Sequence, residues 1–91
     1  MRPVLHGDVS AAARVLYRRP APMRAETCAR MIAEAEIADR FRARTGQAHP
    51  LFGNGSLMGA ARKRPLAAEP GFDDVEYCRC FGQVLRALVE R

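Results

Sequence analysis

The 91-residue chain has no tryptophan, four phenylalanines and two tyrosines, so aromatics make up only 7% of it. A core with so few large rings must be filled by small aliphatic side chains, alanine above all, and this favours closely packed helices. Lysine is nearly missing too: Lys63 is the only one among 15 basic residues. No window approaches the roughly 20 apolar residues of a membrane-spanning helix, and the opening MRPVLHGDV carries no apolar leader-type run. The three cysteines, Cys28, Cys78 and Cys80, are an odd number without the spacing of a disulfide framework. These absences predict a cytoplasmic chain with free thiols and no membrane partner.

Signatures of chemistry are missing as well. There is no C-x-x-C or H-x-x-H spacing, and His6 and His49 have no second ligand nearby in the chain. On a helix, Cys78 and Cys80 point roughly 200° apart and cannot hold one ion together. Cys28 and Cys78 fall on apolar seams and read as small hydrophobes, while Cys80 is placed on the outer side beside Arg79. Ser10 and Ser56 have no local base. The acids Asp73, Asp74 and Glu76 are accounted for by helix capping. The expectation is no catalytic residue, no metal site, no cofactor and no enzyme.

The glycines of FGNGSLMG do not spell a nucleotide-binding loop. Gly53, Gly55 and Gly59 read G-x-G-x-x-x-G, one residue longer than the dinucleotide fingerprint and without the strand that must precede it. They predict a turn at Asn54–Gly55, an N-cap at Ser56 and a helix start. The segment reads first as a structural turn, though a helix start of this kind can also hold an anion on its free amides.

What is present is helical periodicity, in four segments, and no strand alternation. The first runs from Asp8, read as its N-cap, to about Arg18, where Pro20 ends it. The second runs from Pro22 or Met23 to about Arg44, with Gly46 beyond its end. Its seam is Cys28, Met31, Ala35 and Ala38, with Ile32 and Phe41 alongside. The third covers Ser56 to about Arg64. The fourth starts at Asp73, with Glu76 as capping-box partner and Phe72 against Tyr77 as a staple. It presents Cys78, Phe81, Leu85 and Leu88 as its seam, widened by Val75, Val84 and Val89, with Gly82 outside. The predicted architecture is all-α: a single domain, residues 1–91, in which the long helix (about 22–44) pairs with the C-terminal helix (about 73–90) and two shorter helices pack against them.

The net charge is +5, which points to anionic partners. The charges gather in two triplets: Arg40, Arg42 and Arg44 at the end of the second helix, and Arg62, Lys63 and Arg64 at the end of the third. Cations there complement the negative helix terminus, but six exceed what capping requires. If the 45–55 loop folds back, the two triplets meet on one surface suited to phosphate contact with little base discrimination. Few aromatics interleave, which excludes a single-strand stacking platform. A loop of about eleven residues is too long for a helix-turn-helix. Leu51 and Phe52, displayed beside the turn, form a second candidate surface, for a protein partner.

Three stretches, LHGDVSAAARVLY, HPLFGNGSLM and EPGFDDVEY, together resemble the small terminase subunits encoded at the head of phage-like gene transfer agent clusters in alphaproteobacteria. The resemblance spans Leu5 to about Leu88. It implies a non-enzymatic DNA-packaging protein that assembles into homo-oligomers, contacts DNA and docks onto a large terminase. It departs from phage small terminases in leaving no room for an N-terminal helix-turn-helix, so weak, sequence-indifferent DNA contact is the expectation. The alternative is a small cytoplasmic adaptor that binds a protein and not DNA, using Leu51 and Phe52.

Overall fold

The computed structural model describes all 91 residues. It has four α-helices and no β-strand: α1 His6–Tyr17, α2 Arg24–Thr45, α3 Leu57–Ala61 and α4 Val75–Glu90. A 3-10 turn, Ala21–Met23, with proline at its start, leads into α2. The all-α class, the long second helix and the C-terminal helix stand as the periodicity predicts. No helix is long and apolar enough to cross a membrane.

α1 is the central element, and its alanines explain why. Ala11, Ala12 and Ala13 are almost wholly inaccessible, and side chains that short let neighbours approach from several directions. α4 lies antiparallel along α1, with Ser10 opposite Tyr77 and His6 opposite Phe81. α3 and α2 cover the remaining sides. The long and C-terminal helices do touch, but α4 packs more extensively on α1 than on α2. The core is centred on Leu16, Met31, Leu57 and Tyr77, all fully buried. Each such side chain contributes about 1.5–3 kcal/mol by leaving water.

Asp8 is not the N-cap of α1. Leu5 occupies that position, and Asp8, one turn in and buried, accepts from two amides. Its Oδ2 takes the Leu5 N–H at 2.9 Å and its Oδ1 the Met58 N–H at 2.9 Å. Met58 belongs to the first turn of α3, and Ser56 Oγ accepts from Gly59 N at 3.0 Å in that same turn. One carboxylate therefore closes α1 and anchors the start of α3, satisfying donors that a helix cannot satisfy itself.

α2 buries Cys28, Met31, Ala35 and Ala38, the seam read from sequence. It ends at Gly46, whose φ of 73° lets its N–H turn back to Arg42 O at 2.8 Å. α3 stops at Ala61, so the second basic triplet lies in the turn that follows and not on the helix.

α4 differs from expectation in register. Its N-cap is Asp74, one residue later, with Oδ1 accepting from Tyr77 N at 3.0 Å. Glu76 forms no capping box and turns instead to Arg24 and Arg79. The buried face is Tyr77, Cys80 and Val84, so Cys80 is inside and Cys78 outside, the reverse of the sequence reading. Of the predicted seam, Phe81 and Leu88 are half-buried and Leu85 is exposed. Period alone could not decide, because apolar residues cover more than half of this helix.

Candidate nucleic-acid interface

The chain after the 46–56 loop runs back along α2. Arg42 Nη1 reaches Asn54 O at 3.5 Å. Gly55 lies so close to Asp39 that a Cβ there would stand 2.8 Å from its Cα. Arg64 pairs with Glu34. The loop does fold back, but the eight residues from Arg42 to Glu34 correspond to about 12 Å of helix. The two triplets therefore end at different levels along α2.

The first triplet itself divides. With roughly 100° between successive residues, Arg40 and Arg44 share a face, where they flank Ile37 and Ala43 in a shallow groove. Arg42 points to the other side, toward the loop. All three are exposed.

The second triplet divides differently. Arg62 and Lys63 are exposed in the turn after α3. Arg64 is half-buried and locked on Glu34 by two parallel bonds, Nη1 to Oε1 at 2.9 Å and Nη2 to Oε2 at 2.8 Å. This fork-to-fork geometry is the strong form of the pair. Arg64 is thus a tie between the post-α3 turn and α2, and its charge is already neutralised.

Arg64 also brings in residues that the sequence reading passed over. Two adjoining grooves share Arg19 and Arg64: one adds Met23, Glu26, Thr27 and Arg30, the other Val15, Arg18 and Pro65. At about 120 and 230 Å³ they are smaller than a typical small-molecule site, but their rims are guanidinium-rich. Arg18 and Arg19 sit in the corner RRPAPMR. Arg24 fixes that corner: its Nε donates to Leu16 O and Arg19 O at 2.9 and 3.0 Å, and its Nη1 reaches Glu76 at 2.9 Å. The signal was the Arg-Arg pair itself, which reads as punctuation because Pro20 follows it.

Arg18, Arg19, Arg40, Arg42, Arg44, Arg62 and Lys63 make no ion pair, whereas Arg24, Arg30, Arg64, Arg79 and Arg91 each have a carboxylate. Arg2, Arg14 and Arg86 also lack a carboxylate, but the seven named first are all exposed and lie on the end of α1, the C-terminal half of α2 and the turn after α3. An arrangement of unpaired, exposed cations over adjacent elements can neutralise a line of phosphates without reading bases.

The 49–53 turn is more firmly built than its composition suggests. His49 and Gly53 form an isolated antiparallel bridge, with Gly53 at φ 92°. His49 Nδ1 accepts from the Leu51 and Phe52 amides at 3.0 and 3.1 Å. Its ring stacks on Phe52 at 4.8 Å and meets Phe41 edge-on at 5.0 Å. Phe52 is half-buried by this stack, and Leu51 is displayed at the tip, 68% exposed. His49 is thus an organiser of the loop.

Burial pushes the Cys28 thiol up from its ordinary range, and it does the same for Cys80, against the pull of the nearby Arg24 charge. Both stay protonated at neutral pH, and neither is an activated nucleophile.

No curated protein and no solved structure matches the chain. The model of a family described as Domain of unknown function (DUF7742) matches residues 2–88, a span that takes in α1, α2, α3, all but the last two residues of α4, and both basic clusters. The chain belongs to that family.

Proposed function

We propose that the chain is a non-enzymatic DNA-packaging accessory of the small-terminase type. It contacts duplex DNA through the phosphate backbone, assembles with copies of itself and docks onto a large terminase in the cytoplasm. The observation that supports DNA contact is a group of seven exposed cations without an acidic partner, Arg18, Arg19, Arg40, Arg42, Arg44, Arg62 and Lys63, on adjacent elements. The resemblance of LHGDVSAAARVLY, HPLFGNGSLM and EPGFDDVEY to small terminase subunits supports the packaging role. Contacts of this kind release counterions, so affinity should fall steeply as salt rises, with a log–log slope of about 0.9 per phosphate neutralised. The test is retention on random-sequence duplex DNA across a salt series. Replacing Arg18, Arg19, Arg62 and Lys63 with alanine should weaken retention for every sequence alike and flatten the slope by about one per cation. Absence of retention at low salt, or a slope unchanged by these substitutions, rejects DNA contact.

A second reading rests on the hydrogen-bonded 49–53 turn. A protein-binding adaptor would present Leu51 from just such a loop, as an apolar anchor on a pre-organised support. Leu51→Ser with Phe52→Ser would then abolish capture of the protein partner while sparing DNA retention, and the opposite pattern would favour the DNA reading alone.

A further inference from the structure

α4 carries two apolar stripes, and the fold uses one. Tyr77, Cys80 and Val84 are buried against α1 and α2. The other stripe, Val75, Cys78, Gly82, Leu85 and Val89, steps by three, four, three and four residues and faces outward. Val75 is 63%, Leu85 45% and Val89 84% exposed. This is the a/d spacing of a helix that packs along another helix. We propose that this stripe is a docking site for an amphipathic helix of another protein, one whose flanking positions carry carboxylates.

Two observations lead to a helix with acidic flanks. The first is the middle of the stripe. Cys78, Phe81, Gly82 and Leu85 stand at i, i+3, i+4 and i+7, the four corners of a hole that receives one side chain of a facing helix. At Gly82 a Cβ would meet nothing within 4 Å. Nothing in the chain's own packing requires a glycine there, and it costs helicity. Its effect is a deeper hole, with room for a large apolar side chain.

The second observation is charge. Arg79 and Arg86 line one edge of the stripe, and both are exposed. Arg86 makes no ion pair. Arg79 reaches Glu76 at 2.9 Å, but the more enclosed Arg24 already holds that carboxylate at 2.9 Å, so Arg79 is free to exchange partners at little cost. Glu76 and Glu90 lie on the same side but further round the helix, so the charges next to the apolar seam are the two cations, which select carboxylates across it. The same edge argues against a second copy as occupant, since a two-fold pairing about Gly82 sets Arg79 of one copy against Arg86 of the other.

The site lies on α4, apart from the seven cations of α1, α2 and the turn after α3 that the DNA reading uses, so the inference does not rest on DNA contact. Its test uses the full chain and two labelled synthetic three-heptad peptides with leucine at a and d. One has glutamate at its flanking positions and the other lysine; binding is followed by fluorescence anisotropy. The glutamate peptide should bind saturably, and the lysine peptide at least about tenfold more weakly. The pair Arg79→Glu and Arg86→Glu should invert that order. The pair Arg40→Glu and Arg44→Glu, with the same change in net charge, should preserve it. Leu85→Glu, at an exposed position, should lose both peptides while keeping the helical circular dichroism and DNA retention of the parent. Failure of both peptides to bind, equal binding, or an order unmoved by reversal at positions 79 and 86 overturns the proposal. So does a dimer seen by sedimentation that Leu85→Glu dissociates, because a second copy then occupies the stripe.

Discussion

Two tyrosine hydroxyls fasten α4 to α1, and each has a defined energetic role. Ser10 Oγ and Tyr77 Oη lie 3.0 Å apart in the core, where an unpaired hydroxyl is costly. Ser10→Ala should destabilise the chain by about 1–3 kcal/mol, and adding Tyr77→Phe should recover part of that, because the orphaned polar atom is removed. Urea denaturation of the single and double variants measures both. Tyr17 donates to Asp74 at 2.6 Å. That bond, followed by the Tyr77 amide, holds Asp74 below the ordinary carboxylate range, and the Arg24 guanidinium does the same for Glu76. Both carboxyls are more acidic folded than unfolded, so the unfolded chain takes up protons first as pH falls. Their contribution is complete above the ordinary carboxylate range and is lost as pH drops through the depressed values. The Tyr17 phenol is pushed up by the same bond. Its share is complete below the ordinary tyrosine range and is lost as pH rises through the raised value. Denaturation midpoints followed into acid should therefore decline less steeply in Asp74→Asn than in the parent. Sequence alone identified Ser56 and Gly46 correctly, since each acts on its own neighbours. It missed Asp8 and Ser10, whose partners lie 50 and 67 residues away.

The elements themselves were legible because proline and glycine punctuate them. Pro20, Gly46 and the 65–71 connection sit where helices stop, and the seam of α2 is the predicted one. α4 was read one step out of phase because two adjacent aspartates offer two caps and two overlapping stripes offer two faces. Only the position of α1, with its alanine-lined flank and Ser10, selects the Tyr77–Cys80–Val84 face. Glycines give a matched pair of predictions at this scale. Gly55 sits at φ 92° against Asp39, so Gly55→Ala combines a left-handed backbone, costing about 1–2 kcal/mol, with a clash against backbone, and should lower the melting temperature. Gly82 sits in a helix beside open space, so Gly82→Ala should stabilise by about 1 kcal/mol and raise it. Opposite shifts in two thermal melts are the expected result.

At the level of the whole molecule, charge separates into structural and free populations, and composition could not show which arginine belongs to which. Arg64 closed a run of three basic residues in the sequence, yet it is the member committed to Glu34. Arg18 and Arg19, which ended a helix in the sequence, are free. Arg64→Met should cost about 1–2 kcal/mol, from charge-assisted bonds lost in a half-buried setting. It should leave DNA retention close to that of the parent under folding conditions. Arg18→Ala with Arg19→Ala should do the reverse, with an unchanged denaturation midpoint and weaker retention. Running both variants through both assays checks the separation. The central position of α1 has a temporal consequence as well. The helix at the heart of the fold is made first, and the helix that packs most extensively on it is made last. During synthesis the flank of α1 that receives α4 must therefore wait uncovered until residues 75–90 leave the ribosome. A chain halted before them should remain open to protease throughout that interval.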